Sequence, residues 1–68
     1  MSADNFIAIL KTKDNKFIGY NCSASMDYES IEDYKNGYKE FEADSIEEAI
    51  KKAQAVEICE YGYTFVNL

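Results

Sequence analysis

SIEEAIKKAQAV, residues 45–56, carries the clearest structural signal in this chain of 68 residues. Apolar residues recur in it at spacings of three, one, three and three, which lays one apolar stripe along an α-helix; they are Ile46, Ala49, Ile50, Ala53 and Val56. Ser45 and Glu48 have the spacing of a capping box. In this motif the Ser hydroxyl accepts a hydrogen bond from the Glu backbone N–H, and the Glu side chain accepts one from the backbone at the start of the helix. Because Asp44 and Glu47 share that spacing, we expect the helix to begin at Asp44 or Ser45.

Charge pairs on the same segment support a helix. Two Glu–Lys pairs lie four residues apart in the stabilising order, and each adds about 0.2–0.5 kcal/mol. They are Glu47 with Lys51 and Glu48 with Lys52. A glycine follows at Gly62, and we expect the helix to end between residues 57 and 61.

Two strands are expected before this helix. Residues 5–12 place apolar side chains on both faces, which predicts a central strand or one at an oligomer interface. Residues 13–16 predict a hairpin turn, in which Asn15 tolerates a positive φ. Residues 17–24 predict the second strand, whose expected core face holds Ile18, Tyr20, Cys22 and Ala24.

Further along, residues 38–43 alternate as a half-buried strand, and residues 61–68 predict a last strand. Gly19 marks either a β-bulge or a close approach of another group to the backbone. Residues 25–37 are too polar for a strand and accommodate one or two helical turns, capped by Asp27 or Ser30. Its expected inward anchors are Met26, Ile31 and Tyr34.

The element order β-β-β-α-β predicts an α+β fold in a single domain, residues 1–68. One amphipathic helix covers one face of a four-stranded sheet, with an extra short helix within residues 25–36. We expect the uncovered face to display some of Ile7, Ile9, Phe17, Tyr61, Tyr63 and Phe65. Exposed aromatic residues at that density indicate a dimer interface or a binding surface.

The composition disfavours several functions. The chain lacks His and Arg, so it has no imidazole base and no guanidinium fork for phosphate. We therefore expect a protein that is not an enzyme. A net charge of −6 and a pI near 4.4 disfavour direct binding of nucleic acid, because such binding depends on neutralising phosphates.

Two cysteines, Cys22 and Cys59, fit reduced, buried thiols of a cytoplasmic protein better than a disulfide framework. No segment is apolar enough for a membrane span, and the first residues do not resemble a signal peptide. The carboxylates of residues 27–33 lack the spacing of a calcium-binding loop. We expect no metal site and no cofactor.

Nine of the 13 acidic residues, and three of the six tyrosines, lie in residues 27–48. One interpretation is a solvated segment whose charges keep a small protein soluble. The other is recognition of a basic surface on a larger protein, with DNA mimicry as its extreme form, because Tyr is favoured at interface hot spots. The residues predicted for that role are Asp27, Tyr28, Glu29, Glu32, Asp33, Tyr34 and Tyr38.

An alternative function uses the predicted aromatic sheet face. Tyr61, Tyr63 and Phe65 either pack between strands or form a stacking wall for a nucleotide-like ligand. The phosphate of such a ligand would depend on lysines, among them Lys11, Lys13 and Lys16, or on backbone amides at the helix start. A third possibility is a structural subunit that only self-assembles.

In size, acidity, lack of catalytic residues and lack of targeting signals, the chain is similar in kind to small phage-encoded inhibitors of bacterial defence or host enzymes. The similarity is one of composition over the whole chain. It implies a small acidic inhibitor that acts in the cytoplasm of a bacterial host on a larger basic partner. The small size and the aromatic content of the chain lead us to expect a homodimer.

Overall fold

The structure, a computed structural model, describes residues 4–56 and 62–66. The elements in chain order are β1 (Asn5–Lys11), β2 (Phe17–Ser23), α1 (Ile31–Tyr34), β3 (Tyr38–Ala43), α2 (Ile46–Gln54) and β4 (Tyr63–Val66). This order confirms the predicted α+β fold, including the short helix in the acidic segment. The predicted last strand is confirmed over the four residues of β4, and its other residues lie outside the described part.

The sheet has the strand order β3-β2-β1-β4. β1 pairs antiparallel with β2 and parallel with β4, while β2 pairs antiparallel with β3. The central position of β1 explains its apolar sequence, since residues 7–10 are at most 3% exposed. Because β3 and β4 form opposite edges, the connection through α2 crosses the sheet.

The β1–β2 hairpin turn confirms the prediction for residues 13–16. Asn15 adopts a φ of 62°, in the left-handed region that Asn tolerates. The turn is closed by the Thr12 N–H, which donates to the Lys16 carbonyl at 2.8 Å. The local chemistry of the turn therefore fixes the register of the two strands.

Both interpretations of Gly19 are confirmed. The β2–β3 register shifts between Gly19 and Tyr20, which pair with Phe41 and Lys39 and leave Glu40 as the extra residue of a bulge. The Phe41 ring lies directly over Gly19, where a Cβ atom would overlap it. The missing side chain lets the ring enter the core beneath α2.

α2 begins after Ser45, one of the two predicted caps. The Ser45 hydroxyl accepts from the Glu48 N–H at 3.1 Å, and the Glu48 carboxylate accepts from the Asp44 N–H at 2.8 Å. The predicted helix end at residues 57–61 is wrong, because the helix stops at Gln54. There the Val56 N–H donates to the carbonyl three residues before it, which tightens and ends the last turn.

The helix covers the sheet face that was predicted to be open. Its core cluster consists of Ile7, Ile9, Phe17, Ala43, Ala49 and Ala53, with Phe41, Val56 and Tyr63 packed against it. The expectation that Ile7, Ile9 and Phe17 lie on an uncovered face is therefore wrong. Since β1 is apolar on both faces, alternation alone did not decide which face receives the helix.

The opposite face holds a second core cluster. Ala8, Leu10 and Cys22 are buried there, with Phe6, Tyr20, Tyr28, Ile31, Tyr34 and Val66 packed around them. Tyr20 and Cys22 thus face a core as predicted, but the acidic segment covers it and the helix does not. Ala24 is exposed, contrary to prediction, because β2 ends at Ser23 and the chain turns away.

Candidate functional site

Residues 25–37, hereafter the acidic connection, are fastened to the sheet by two tyrosines. The rings of Tyr28 and Tyr34 stack with centroids 4.5 Å apart, and both meet Phe6 edge-on, at 5.9 and 6.5 Å. The Tyr28 hydroxyl donates to the Ser23 carbonyl at 2.7 Å. These aromatic and hydrogen-bond contacts hold the connection as a fixed cover over the second core cluster.

Asp33, one of the predicted binding residues, caps the start of the short helix α1. Ser30 is the N-cap, and the Asp33 carboxylate accepts from the N–H groups of Ser30 at 3.1 Å and Glu29 at 2.8 Å. Ile31 is half-buried, as predicted for an anchor, as is Tyr34. Asp33 is thus committed to the local backbone.

The prediction of Met26 as an inward anchor is wrong, since its side chain is 57% exposed. It lies in the turn that follows β2, where its N–H approaches the Ser23 carbonyl. Tyr28, two residues later, takes the anchoring position instead. Its aromatic ring packs edge-on against Phe6.

The outer side of the connection displays Asp27, Glu29 and Glu32, hereafter the carboxylate layer. Within the described part of the chain, Asp27 and Glu29 have no salt bridge, while Glu32 meets Lys35 at 3.5 Å in an exposed pair that contributes little. Tyr38, at the start of β3, is 71% exposed. Of the seven predicted residues, four are therefore exposed, and Tyr28, Asp33 and Tyr34 hold the segment in place.

Most other acids of residues 27–48 have partners within the fold. Asp44 pairs with Lys16 at 3.0 Å, Glu48 with Lys52 at 3.4 Å and Glu42 with Lys39, while Glu40 accepts from the Asn21 amide at 3.0 Å. The negative charge concentrated in residues 27–48 is thus partly neutralised over β3 and α2. It remains over the carboxylate layer.

The pKa shifts follow these contacts. Hydrogen bonding to Lys39 lowers the pKa of Glu42, and the Asp44 N–H lowers the pKa of Glu48. Burial raises the pKa of the Tyr28 phenol, and the neighbouring Cys22 adds to this effect. The two carboxylate shifts favour the charged form, which is the behaviour of surface pairs and caps.

A groove of about 680 Å³ opens beside the connection, between α1 and the turn end of the β1–β2 hairpin. It is lined by Leu10, Lys11, Thr12, Lys13, Ile18, Tyr20, Ile31, Glu32 and Lys35. We call it the hairpin groove. The alternation of Ile18 and Tyr20 in the sequence indicated an apolar face, but nothing there indicated that α1 would leave it partly open.

Tyr63 and Phe65, predicted to form a ligand-binding surface on an open sheet face, lie on the face that α2 covers. Tyr63 packs against the core beneath α2, and Phe65, 41% exposed, meets Phe17 and Tyr63 edge-on at 6.4 and 6.0 Å. Tyr61 lies outside the described residues. Perpendicular rings at these distances are typical of aromatic side chains that pack against each other at the edge of a hydrophobic core.

Cys22 is buried, as predicted, and its thiol donates to the Tyr34 carbonyl at 3.4 Å; Cys59 lies outside the described residues. Over residues 4–56 and 62–66, no three His, Cys, Asp or Glu side chains gather as metal ligands, and no helix has the length and apolarity to cross a bilayer.

Comparison with protein-family models, curated proteins and solved structures gives no match to this chain.

Proposed function

We propose that this chain is a small, acidic, non-catalytic binding protein whose carboxylate layer occupies a basic surface of a larger protein. The observation that supports this most directly is the stacking of Tyr28 on Tyr34. A loose acidic loop would lose conformational entropy on binding, whereas a segment already fastened to the sheet loses little. The backbone that carries Asp27 and Glu29 is therefore preorganised for a cationic partner.

The chemistry of the surface defines the partner. Asp27 and Glu29 are exposed without salt bridges among the described residues, so their charges are available to Lys and Arg side chains. Tyr38, exposed on the neighbouring strand, supplies an aromatic anchor of the kind favoured at interface hot spots. A lysine- and arginine-rich groove, such as a nucleic-acid-binding site, fits this combination.

The composition extends the proposal. Because the chain is similar in kind to small phage-encoded inhibitors, we place the partner among bacterial defence or host enzymes and the action in the bacterial cytoplasm. The net charge of −6 opposes direct contact with nucleic acid and favours a protein target.

Capture from bacterial lysate at low and high ionic strength tests the proposal. Immobilised protein is expected to retain a basic protein, identified by mass spectrometry, and to release it as salt screens the charges. The variant D27N/E29Q is expected to lose this capture. A matched control is D14N/E47Q, which removes the same charge from two exposed acids without salt bridges in the described structure.

The two variants separate local recognition from net charge. Loss of capture in D27N/E29Q with retention in D14N/E47Q supports the carboxylate layer as the binding surface. Equal loss in both variants, or capture that high salt does not weaken, contradicts the proposal.

A further inference from the structure

The hairpin groove has the shape and lining of a small-molecule site. Its volume of about 680 Å³ is within the range of ligand pockets, about 300–1,000 Å³. Leu10, Ile18, Tyr20 and Ile31 contribute apolar side chains, three of them only half-buried by the rest of the fold. A ligand with an apolar body would remove the remaining surface of these side chains from water.

The charge around the groove is opposite to the charge of the protein. Three of the seven lysines, Lys11, Lys13 and Lys35, line it, and Glu32 is the single acid among its lining residues. Elsewhere in the described structure, Lys16, Lys39 and Lys52 are each held by an acid. A chain with a net charge of −6 thus concentrates positive charge at this apolar groove.

The two sides of the groove each provide a lysine. Lys13 belongs to the hairpin turn and has no salt bridge within the described residues, while Lys35 follows α1. The ion pair of Lys35 with Glu32 is long, 3.5 Å, and both side chains are largely exposed, so it is easily exchanged for a ligand.

We propose that the hairpin groove binds a small organic anion with an apolar body, either an aliphatic or an aromatic carboxylate. The body lies on Ile18, Tyr20 and Ile31, and the carboxylate is held by Lys13 and Lys35. The neighbouring carboxylate layer repels an extended anionic surface, which favours a small ligand over a membrane. This site goes beyond the proposed protein-binding function and shares only Glu32 with it.

Titration of the full-length, ¹⁵N-labelled protein tests the site. Decanoate and 2-naphthoate serve as anionic probes, and nonyltrimethylammonium, with the same alkyl tail as decanoate, serves as the cationic control. Saturable chemical-shift changes at the amides of Lys13, Ile18, Tyr20 and Ile31 are expected with the anions and much weaker ones with the cation. The ratio of the two anion affinities tells whether the preferred body is aliphatic or aromatic.

A pair of variants tests the role of the lysines. K13Q/K35Q is expected to weaken anion binding by about three- to tenfold, the effect of losing two exposed charge contacts. K51Q/K52Q removes the same charge from α2, on the opposite face of the sheet, and is expected to bind as the wild type does.

Several results would overturn the proposal. They are the absence of saturable binding, equal binding of anion and cation, shifts confined to the α2 face, and equal weakening in the two variants. None of these depends on a protein partner, so the site and the proposed function fail separately.

Discussion

Tyr28 and Tyr34 stack with their ring planes 12° apart, and Phe6 stands perpendicular to both. The two tyrosines lie six residues apart, and Ile31 is the one apolar residue between them. Their stacking closes the second core cluster, which holds Ala8, Leu10 and Cys22. The acidic connection is thus a layer of the fold with a charged outer side.

Tyr34→Ala is expected to lower the free energy of unfolding by about 2–3 kcal/mol, because it removes a half-buried ring and two aromatic contacts. Urea unfolding followed by circular dichroism measures the change. The control is Tyr38→Ala, which removes an exposed ring and is expected to change stability by less than about 0.5 kcal/mol. Similar losses in the two variants would show that the stack does not hold the fold.

Tyr28→Phe is expected to cost about 1 kcal/mol, because the stack remains while the hydroxyl loses its bond to Ser23. The raised pKa of Tyr28 adds a dependence on pH. The folded state holds this phenolic proton more tightly than the unfolded state does. The contribution of the protonated Tyr28 phenol to the free energy of unfolding is therefore complete below the unfolded pKa of about 10 and is lost as pH rises through the folded pKa. Unfolding measured from pH 8 upward should therefore show a decline that Tyr28→Phe reduces; an identical decline in both proteins would be evidence against this role.

Much of the fold could be predicted because local signals agreed. The two-sided apolar pattern of residues 7–10 identified the central strand, Asn15 identified the turn, and the Ser45–Glu48 spacing identified the helix start. The face that receives the helix could not be predicted in the same way. On the face that receives the helix, Phe41 packs closely over Gly19, a contact that a one-dimensional pattern does not contain.

The sequence predicted which residues belong to the candidate site but not how these residues are arranged. The exposure of Asp27 and Glu29 follows from their charge. Tyr34 was predicted as an anchor together with Ile31, three residues before it, and both are half-buried. The anchoring role of Tyr28 depends on where the chain crosses the sheet, and its position gave no periodic signal. The hairpin groove likewise lies where α1 and the hairpin leave Ile18 and Tyr20 only half-buried.

Gly19→Ala is expected to destabilise the protein by about 1–3 kcal/mol, because its Cβ would overlap the Phe41 ring in a packed core. The double variant G19A/F41L tests the cause, since a smaller side chain opposite the new methyl group relieves the overlap. Chemical unfolding of the two single variants and the double variant gives the coupling energy. Losses that simply add would mean that the contact between these residues is not what makes glycine necessary.

The capping interactions of α2 predict a stability loss in acid. Ser45→Ala is expected to cost about 1 kcal/mol at neutral pH, because the Glu48 N–H loses its acceptor. The pKa of Glu48 is lowered by the Asp44 N–H and by Lys52, so its contribution is present above the unfolded pKa of about 4.3 and is lost as pH falls through the folded pKa.

Glu48→Gln should therefore remove part of the acid-induced loss of stability. Glu47→Gln is the matched control, because Glu47 lies in the same helical turn and its side chain has no hydrogen bond or salt bridge within the described residues. Thermal unfolding from pH 7 to pH 3 compares the two variants with the wild type. A pH profile that changes equally in both variants would indicate that general surface charge, and not the bond from Glu48 to the Asp44 backbone, accounts for the acid sensitivity of the helix.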